Sequence, residues 1–477
     1  MKKIIFLLCI PMFFSFAGCS NSGKENTVDQ LQTTIANNSA SKESRPVTAA
    51  PTASPTITPR IIKNINTEDN ELLSNLEELS KSPRKFDTEG EKRALSFLVD
   101  KMTEYGYQTQ TQEFSVYHLG RDWIYPASRQ AYFEQNREEA KKFGTGKNVL
   151  ATAVNPEGKK TLYITAHYDT TEDTNGIRDN GSGVVVAMEI ARQLQGISLP
   201  VNVEFVFFSA EEAGLQGSAY FVSQLTREEK EHAIGCINID VVGQKGDYEV
   251  ILKTYQGQIN ILSVIMDEFH EFRHSWSLAS DHTSFFMGEI PAIYFADDKT
   301  IVKDITENPL EEIDIDRLKE LTKLICDFII NFNPSEYEEI LQDGFIKTYT
   351  DLPKTKEVAG FSLVQINKVL EENAAGSDTQ YILENADGNK AVITEMDSRF
   401  LEEKLTKEIQ EFDSYNDHVK YKISQDKDRI TVQYTDSWIG YNYDVLEGNL
   451  TKEEALEILN SQSEFTNGGA LLWELEE

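Results

Sequence analysis

Cysteine is scarce in this chain. Of 477 residues only four are cysteine, and Cys9 and Cys19 fall among the first twenty, leaving Cys236 and Cys326 for the remainder. With no closely spaced pair, a thiolate zinc site is excluded, so any bound metal must be held by His, Asp and Glu. Cys236 and Cys326 both lie in apolar segments. One disulfide between them is open, but two buried free thiols are expected. Basic residues are also few: 46 Lys and Arg stand against 79 Asp and Glu, a formal net charge of -33. Such a surface repels polyanions, which argues against nucleic acid and anionic membrane as partners of the folded part. What the chain does have is length for roughly two to four domains and 40% apolar residues, enough for a sizeable core.

The hydrophobic run Ile4 to Phe16, behind Lys2 and Lys3, is too short to span a bilayer comfortably and is expected to be an export signal. It ends in Phe16-Ala17-Gly18-Cys19, which resembles a bacterial lipobox. The resemblance implies that Cys19 would be lipidated, become the first mature residue and anchor the protein to the outer face of the cell membrane. An ordinary cleaved signal with an incidental Cys19 is the alternative. From Ser20 to about Pro59 the Ser, Thr, Asn, Ala and Pro composition cannot bury enough surface to fold and is expected to be a tether.

Order is expected from near Ile61. Leu72 to Tyr105 has the spacing of two amphipathic helices, stopped by Gly106, and Thr109 to Val116 alternates as a strand. Residues from about His118 to Thr145 break the pattern and are expected to form an excursion or lid. A β/α rhythm follows, with strands at 148–154, 162–165, 203–208, 234–240, 248–253 and 291–295 and helices at 184–194, 218–225, 259–272 and 315–332. This implies an α/β fold, a mostly parallel, helix-flanked sheet whose ligands bind beyond the carboxyl ends of the strands. After Asn333-Pro334 the texture changes to short alternating segments, with helical runs at 400–412 and 451–459, as in a separate α+β domain.

Four clusters fall at the ends of the central apolar segments. His167 follows one strand, and Asp169 can reach back to its second ring nitrogen and fix the tautomer. A purely structural histidine is the other reading. Asp179 precedes Asn-Gly-Ser-Gly and a helix, where it either meets a ligand or caps the helix. Glu211 and Glu212 follow the apolar Phe205-Val206-Phe207-Phe208, and paired carboxylates there are costly unless a cation or proton offsets them. One can bind metal while its neighbour takes a proton from water; a solvated acidic loop is the alternative. Asp240 ends the strand Cys236-Ile237-Asn238-Ile239.

The order His-Tyr-Asp, Asp-Asn-Gly-Ser-Gly, Ala-Glu-Glu-x-Gly-x-x-Gly-Ser, Asn-x-Asp and Ser280-Asp281-His282 resembles the bacterial two-zinc aminopeptidase family, which also includes glutaminyl cyclases. The resemblance covers about Leu72 to Phe332. It implies a three-layer zinc-exopeptidase fold and two divalent metal ions, most readily zinc. His167 and Asp240 would hold one ion, Asp179 would bridge both, Glu212 would hold the second, and Glu211 would be the general base with Asp169 orienting His167. It also implies a cis peptide between Asp179 and Asn180, and a place for Asp281 and His282 along the substrate pocket. Asp281 as a helix N-cap is the alternative.

The chain departs from the family at the fifth ligand, where a Tyr-His pair is expected. Counting back from Ile313-Asp314 puts Asp304 at the histidine and Lys303 at the tyrosine. Asp304 as a ligand makes the second site harder and weaker for zinc, more open to manganese or calcium, with Lys303 donating to a developing oxyanion. The alternative leaves both residues solvated. The expected layout is therefore a signal at 1–18, a tether at 19–60, a metallopeptidase domain at 61–333 and an α+β domain at 334–477. The expected activity is that of a metal-dependent extracellular exopeptidase, an aminopeptidase acting on peptides. The competing expectation is a degenerate lipoprotein that binds peptide or a partner without cleaving it.

Overall fold

A computed structural model describes residues 69–117, 142–153, 160–255, 257–277, 280–299 and 310–350, and pieces of 352–458. The lipobox with Cys19, most of the 118–145 excursion, Lys303 and Asp304 lie outside the described residues.

Helices α1 (Asp69–Leu79) and α2 (Glu89–Glu104) precede strand β1 (Gln108–Tyr117). Thr88 caps α2 by accepting from the Glu91 amide, and the apolar stripe Ala94, Leu98 and Met102 faces the core. The first sheet continues with β2 (Lys142–Thr152), β3 (Thr161–His167), β4 (Asn202–Phe208), β5 (Ala233–Ile239), β6 (Val250–Tyr255), β7 (His274–Ser277) and β8 (Ala292–Asp297). Its order is β1-β2-β4-β3-β5-β8-β6-β7. The central strands β4, β3, β5 and β8 pair in parallel, whereas β1, β2 and β6 join antiparallel. All residues of β5 and β8 are buried, as strands covered on both faces require. The covering helices are α3 (Gly183–Leu194), α4 (Gln216–Gln224), α5 (Arg227–Glu231), α6 (Ile261–Phe269), α7 (His282–Met287), α8 (Ile315–Asn331) and α9 (Pro334–Asp343). None of the helices among the described residues is long and apolar enough to cross a membrane.

The expected α/β sheet is present, with local differences. β2 begins at Lys142, six residues before the expected strand, because it pairs with β1 along ten residues. Helix α6 ends at Phe269, since His270 is extended. Strand β7 carries too few residues for a periodic signal and was not anticipated, and helix α7 is the short helix that the N-cap alternative for Asp281 required. Helix α9 lies beyond the expected boundary at 334, yet its Tyr337 is buried in the core of the first sheet. Cys236 and Cys326 are buried free thiols.

The second sheet runs β9 (Phe345–Tyr349), β10 (Phe361–Leu370), β11 (Ser377–Asn385), β12 (Lys390–Asp397), β13 (Gln410–Phe412), β14 (Tyr421–Asp426), β15 (Arg429–Thr435) and β16 (Asn442–Gly448). Every pairing is antiparallel, in the order β13-β14-β15-β16-β12-β11-β10-β9. Gln410–Phe412 was expected to end a helix; it is a strand because it pairs with β14, and tertiary pairing overrides local preference. The turn after β10 meets the first sheet: the Ile261 amide donates to the Ala374 carbonyl at 3.2 Å, and Ala375 joins Tyr255 and Phe286 in an apolar cluster.

Candidate metal centre

The four sequence clusters converge at the carboxyl ends of β3, β4 and β5. His167 is the last residue of β3, buried to 1% exposure. Its Nε2 lies 3.1 Å from Asp240 Oδ1 and 3.2 Å from Asp179 Oδ1, and its Nδ1 faces Asp169 at 3.6 Å. Asp169 is fully buried and accepts from the amides of Glu211 at 3.1 Å and Glu212 at 3.4 Å. One carboxylate thus sits against the histidine and the start of the acidic turn together.

Asp179 stands in an irregular helical turn, Ile177–Ser182, and the Asp179–Asn180 peptide is cis. The Asn180 amide group ties this turn to β5: Nδ2 donates to the Ile239 carbonyl at 2.9 Å, and Oδ1 accepts from Gly183 and Val241. Only glycine fits at 183, since a Cβ there would meet the Ile239 carbonyl oxygen at 2.2 Å. Asp179 does not cap α3; Ser182 occupies the cap position.

A chain of buried polar groups that the sequence reading did not identify fixes Asp240. Thr165 Oγ1 donates to Asn238 Oδ1 at 2.8 Å, Asn238 Nδ2 to Ser280 Oγ at 2.8 Å, and Ser280 Oγ to Asp240 Oδ2 at 2.7 Å. Oδ1 of Asp240 is left toward His167. The available signal was polar residues within apolar strands, which are retained when they are mutually satisfied. At the end of β8, Asp297 accepts from the amides of Gly243 and Gln244 and so sets the turn after Asp240.

Electrostatics are dominated by carboxylates. Burial pushes Glu211 well above the usual carboxylate range; His167 opposes this, while Asp281, Asp240 and Glu212 reinforce it. Glu212 is open to solvent on one side, yet desolvation of the rest and repulsion from Asp179 push it up to about 8. For Asp179 burial acts upward, but the bond from His167 and the charges of His167, Arg178 and Arg84 prevail and hold it low. Burial acts to lower His167, and Asp240 and Glu211 overcome it, raising it well above its ordinary value. The raised Glu211, Glu212 and His167 reflect the concentration of carboxylates in this pocket, and the low Asp179 reflects the cationic groups beside it.

The remaining expected residues fall as follows. Asp281 holds the cap position of α7, but its side chain makes no capping bond; it is fully buried, and burial pushes it up to about 7. His282 is also fully buried, stacked on Tyr294 with centroids 5.0 Å apart, and burial pushes it down to about 3, so it is neutral. Neither residue presents accessible surface in this structure.

His167, Glu211 and Asp240 each offer a ligand atom, and these atoms lie within 4.8 Å of one another. The separations of 3.1 and 3.2 Å around His167 Nε2 match those between neighbouring ligands of one ion with bonds of about 2.0–2.1 Å. Nitrogen and carboxylate oxygen donors suit zinc, and carboxylate-rich sets also admit manganese. The residues therefore fit a divalent cation.

A helix-flanked sheet with a histidine and carboxylates gathered at its strand ends defines a metal-site α/β domain. Comparison with known proteins is consistent with this class and more specific: the model of peptidase family M28 matches residues 148–329, a span containing His167, Asp179, Glu211, Glu212 and Asp240. Aminopeptidase YwaD of Bacillus subtilis (strain 168) is 38% identical over 101 residues, which are 21% of this chain and 22% of that protein. Aminopeptidase Y of Saccharomyces cerevisiae is 26% identical over 155 residues, 30% of this chain and 29% of that protein. The chain thus spans less than a third of the length of each. Among solved structures, a zinc aminopeptidase from Bacillus subtilis superposes with a TM-score of 0.48 at 19% identity, covering 56% of this chain and 95% of that one. Porphyromonas gingivalis glutaminyl cyclase gives 0.44 at 18% identity, covering 57% and 98%.

Proposed function

We propose that this protein is a zinc-dependent aminopeptidase that removes amino-terminal residues from peptides outside the cell. The observation that carries the reading is the convergence of His167, Glu211 and Asp240 within ligand distance of one another, inside the stretch similar to peptidase family M28. The named aminopeptidase and zinc aminopeptidase relatives support the same chemistry.

In this reading His167, Asp179, Glu212 and Asp240 are the residues that would hold the zinc. Bound zinc would supply Lewis acidity, making a water more acidic and polarising the scissile carbonyl. Glu211 accepts the proton of the attacking water at its carboxylate and returns it to the departing amine. The Glu211 carboxyl, raised by burial, would be brought back toward its ionised form by a divalent cation beside it and so be able to act as base. Asp169 faces His167 Nδ1 at 3.6 Å, where its charge favours the tautomer protonated there, and it fixes the Glu211 turn by accepting from the Glu211 and Glu212 amides. Asp304, with Lys303 beside it, is the proposed fifth ligand.

The test is E211Q, assayed on an aminoacyl-nitroanilide panel with zinc and, separately, for bound metal. Retained zinc with turnover reduced about 100- to 10 000-fold is expected. Zinc lost together with activity would make Glu211 a ligand instead of the base. Absence of turnover by the wild type with peptide binding intact would favour the non-catalytic binder. We also propose that Cys19 carries the lipid anchor: palmitate label should enter the wild type and not C19S, and equal labelling would overturn this.

A further inference from the structure

We propose that Arg84, in the turn between α1 and α2, is a positioning residue for the metal centre, holding in place the loop that joins His167 to Asp179. The proposal rests on the metal-site reading above. Arg84 is fully buried, and its guanidinium spends its donors on backbone carbonyls. Nε donates to Tyr168 at 2.6 Å, Nη1 to Asn175 at 2.5 Å and to Leu79 at 3.2 Å, and Nη2 to Gly176 at 2.9 Å. The Arg84 amide adds a bond to Thr170 Oγ1 at 2.8 Å. Both ends of the loop that carries Asp169 are therefore tied to one planar cation, whose fork geometry a lysine does not reproduce.

The Gly176 carbonyl is where this reaches the site. It accepts from Arg84 Nη2 and also from the Gly181 amide at 2.8 Å, which closes the turn bearing Asp179. Gly176 has φ 58, and a Cβ there would meet Asp179 O at 2.5 Å and Arg84 Nη2 at 2.9 Å, so the packing leaves no slack between guanidinium and turn. The same cation faces Asp169, Asp179 and Glu212 and offsets part of their mutual repulsion. It touches none of the atoms that would hold metal, so its effect passes through the loop.

Arg93 supplies the control. It donates to the carbonyls of Glu78 and Leu79 and to Ser82 Oγ, stapling the same α1–α2 turn without reaching 168–176. The experiment measures zinc affinity by chelator competition on full-length wild type, R84M, R84K and R93M, with folding checked by circular dichroism and Tm. Folded R84M should bind zinc about 10- to 100-fold more weakly, R84K should recover part of the loss, and R93M should lower Tm while zinc affinity stays near wild type. Folded R84M with wild-type affinity overturns the proposal, as does R93M weakening zinc as much as R84M. If R84M does not fold, R84K decides: weaker zinc at near-normal Tm supports it, and unchanged zinc or a second failure to fold overturns it. A wild type that binds no zinc overturns the metal-site reading itself, an outcome distinct from the others.

Discussion

Asp169 is the residue whose replacement separates a held metal site from a merely acidic one. Its carboxylate accepts from two consecutive amides, Glu211 and Glu212, and faces His167 Nδ1, with no exposed surface. D169N preserves shape but removes the charge and replaces one acceptor oxygen by a donor NH2. Two penalties follow. The amide cannot accept from both backbone N–H groups, leaving one buried donor unmatched at about 1–3 kcal/mol. It also no longer favours the His167 tautomer with the proton on Nδ1, the form that leaves Nε2 free toward Asp179 and Asp240. Outer partners of this kind are worth about 10- to 100-fold in metal affinity, or about 1.4–2.8 kcal/mol. The assay is zinc competition against a chelator at pH 7.5, alongside denaturant unfolding of the metal-free protein. Zinc affinity of D169N within about twofold of wild type, with the fold intact, would refute the reasoning.

Two further outcomes follow from the packing around the site. Glu91 is buried and pushed up to about 7, burial being the main cause, with bonds from Ser209 and the Asp87 amide opposing it. An acid raised in the folded state destabilises as it ionises, so between pH 4.5 and 7 wild type should lose up to about 3 kcal/mol relative to E91Q, read by urea unfolding at saturating zinc; a pH-independent difference would count against it. Phe285 packs with Tyr163, Phe208 and Phe221 at centroid distances of 5.5, 6.2 and 6.0 Å. F285A should cost about 3–5 kcal/mol, and a loss below 1 kcal/mol would mean that this cluster relaxes around the cavity.

The strand ends were legible in the sequence because strands buried on both faces read as unbroken apolar runs, so each charged residue closing one stands out. That gave His167, Glu211 and Asp240 their places, and the family resemblance added the cis bond at Asp179–Asn180. The short β7 and α7 left no periodic trace. Of the expected helix over 400–412 only the last three residues are among those described, and they form a strand because they find a partner in β14, a contact that local propensity does not encode.

The chain order of its acidic clusters, its lack of paired cysteines and its β/α rhythm were enough to determine a helix-flanked sheet with nitrogen and oxygen donors at one edge. Only the tertiary structure decided what holds those donors. Arg84 reaches a loop 84 to 92 residues away in sequence, and the Thr165–Asn238–Ser280–Asp240 chain joins three separate segments. Periodicity reports which face of an element is buried. Hydrogen bonds between side chains and distant carbonyls depend on how those elements meet, which no local pattern contains.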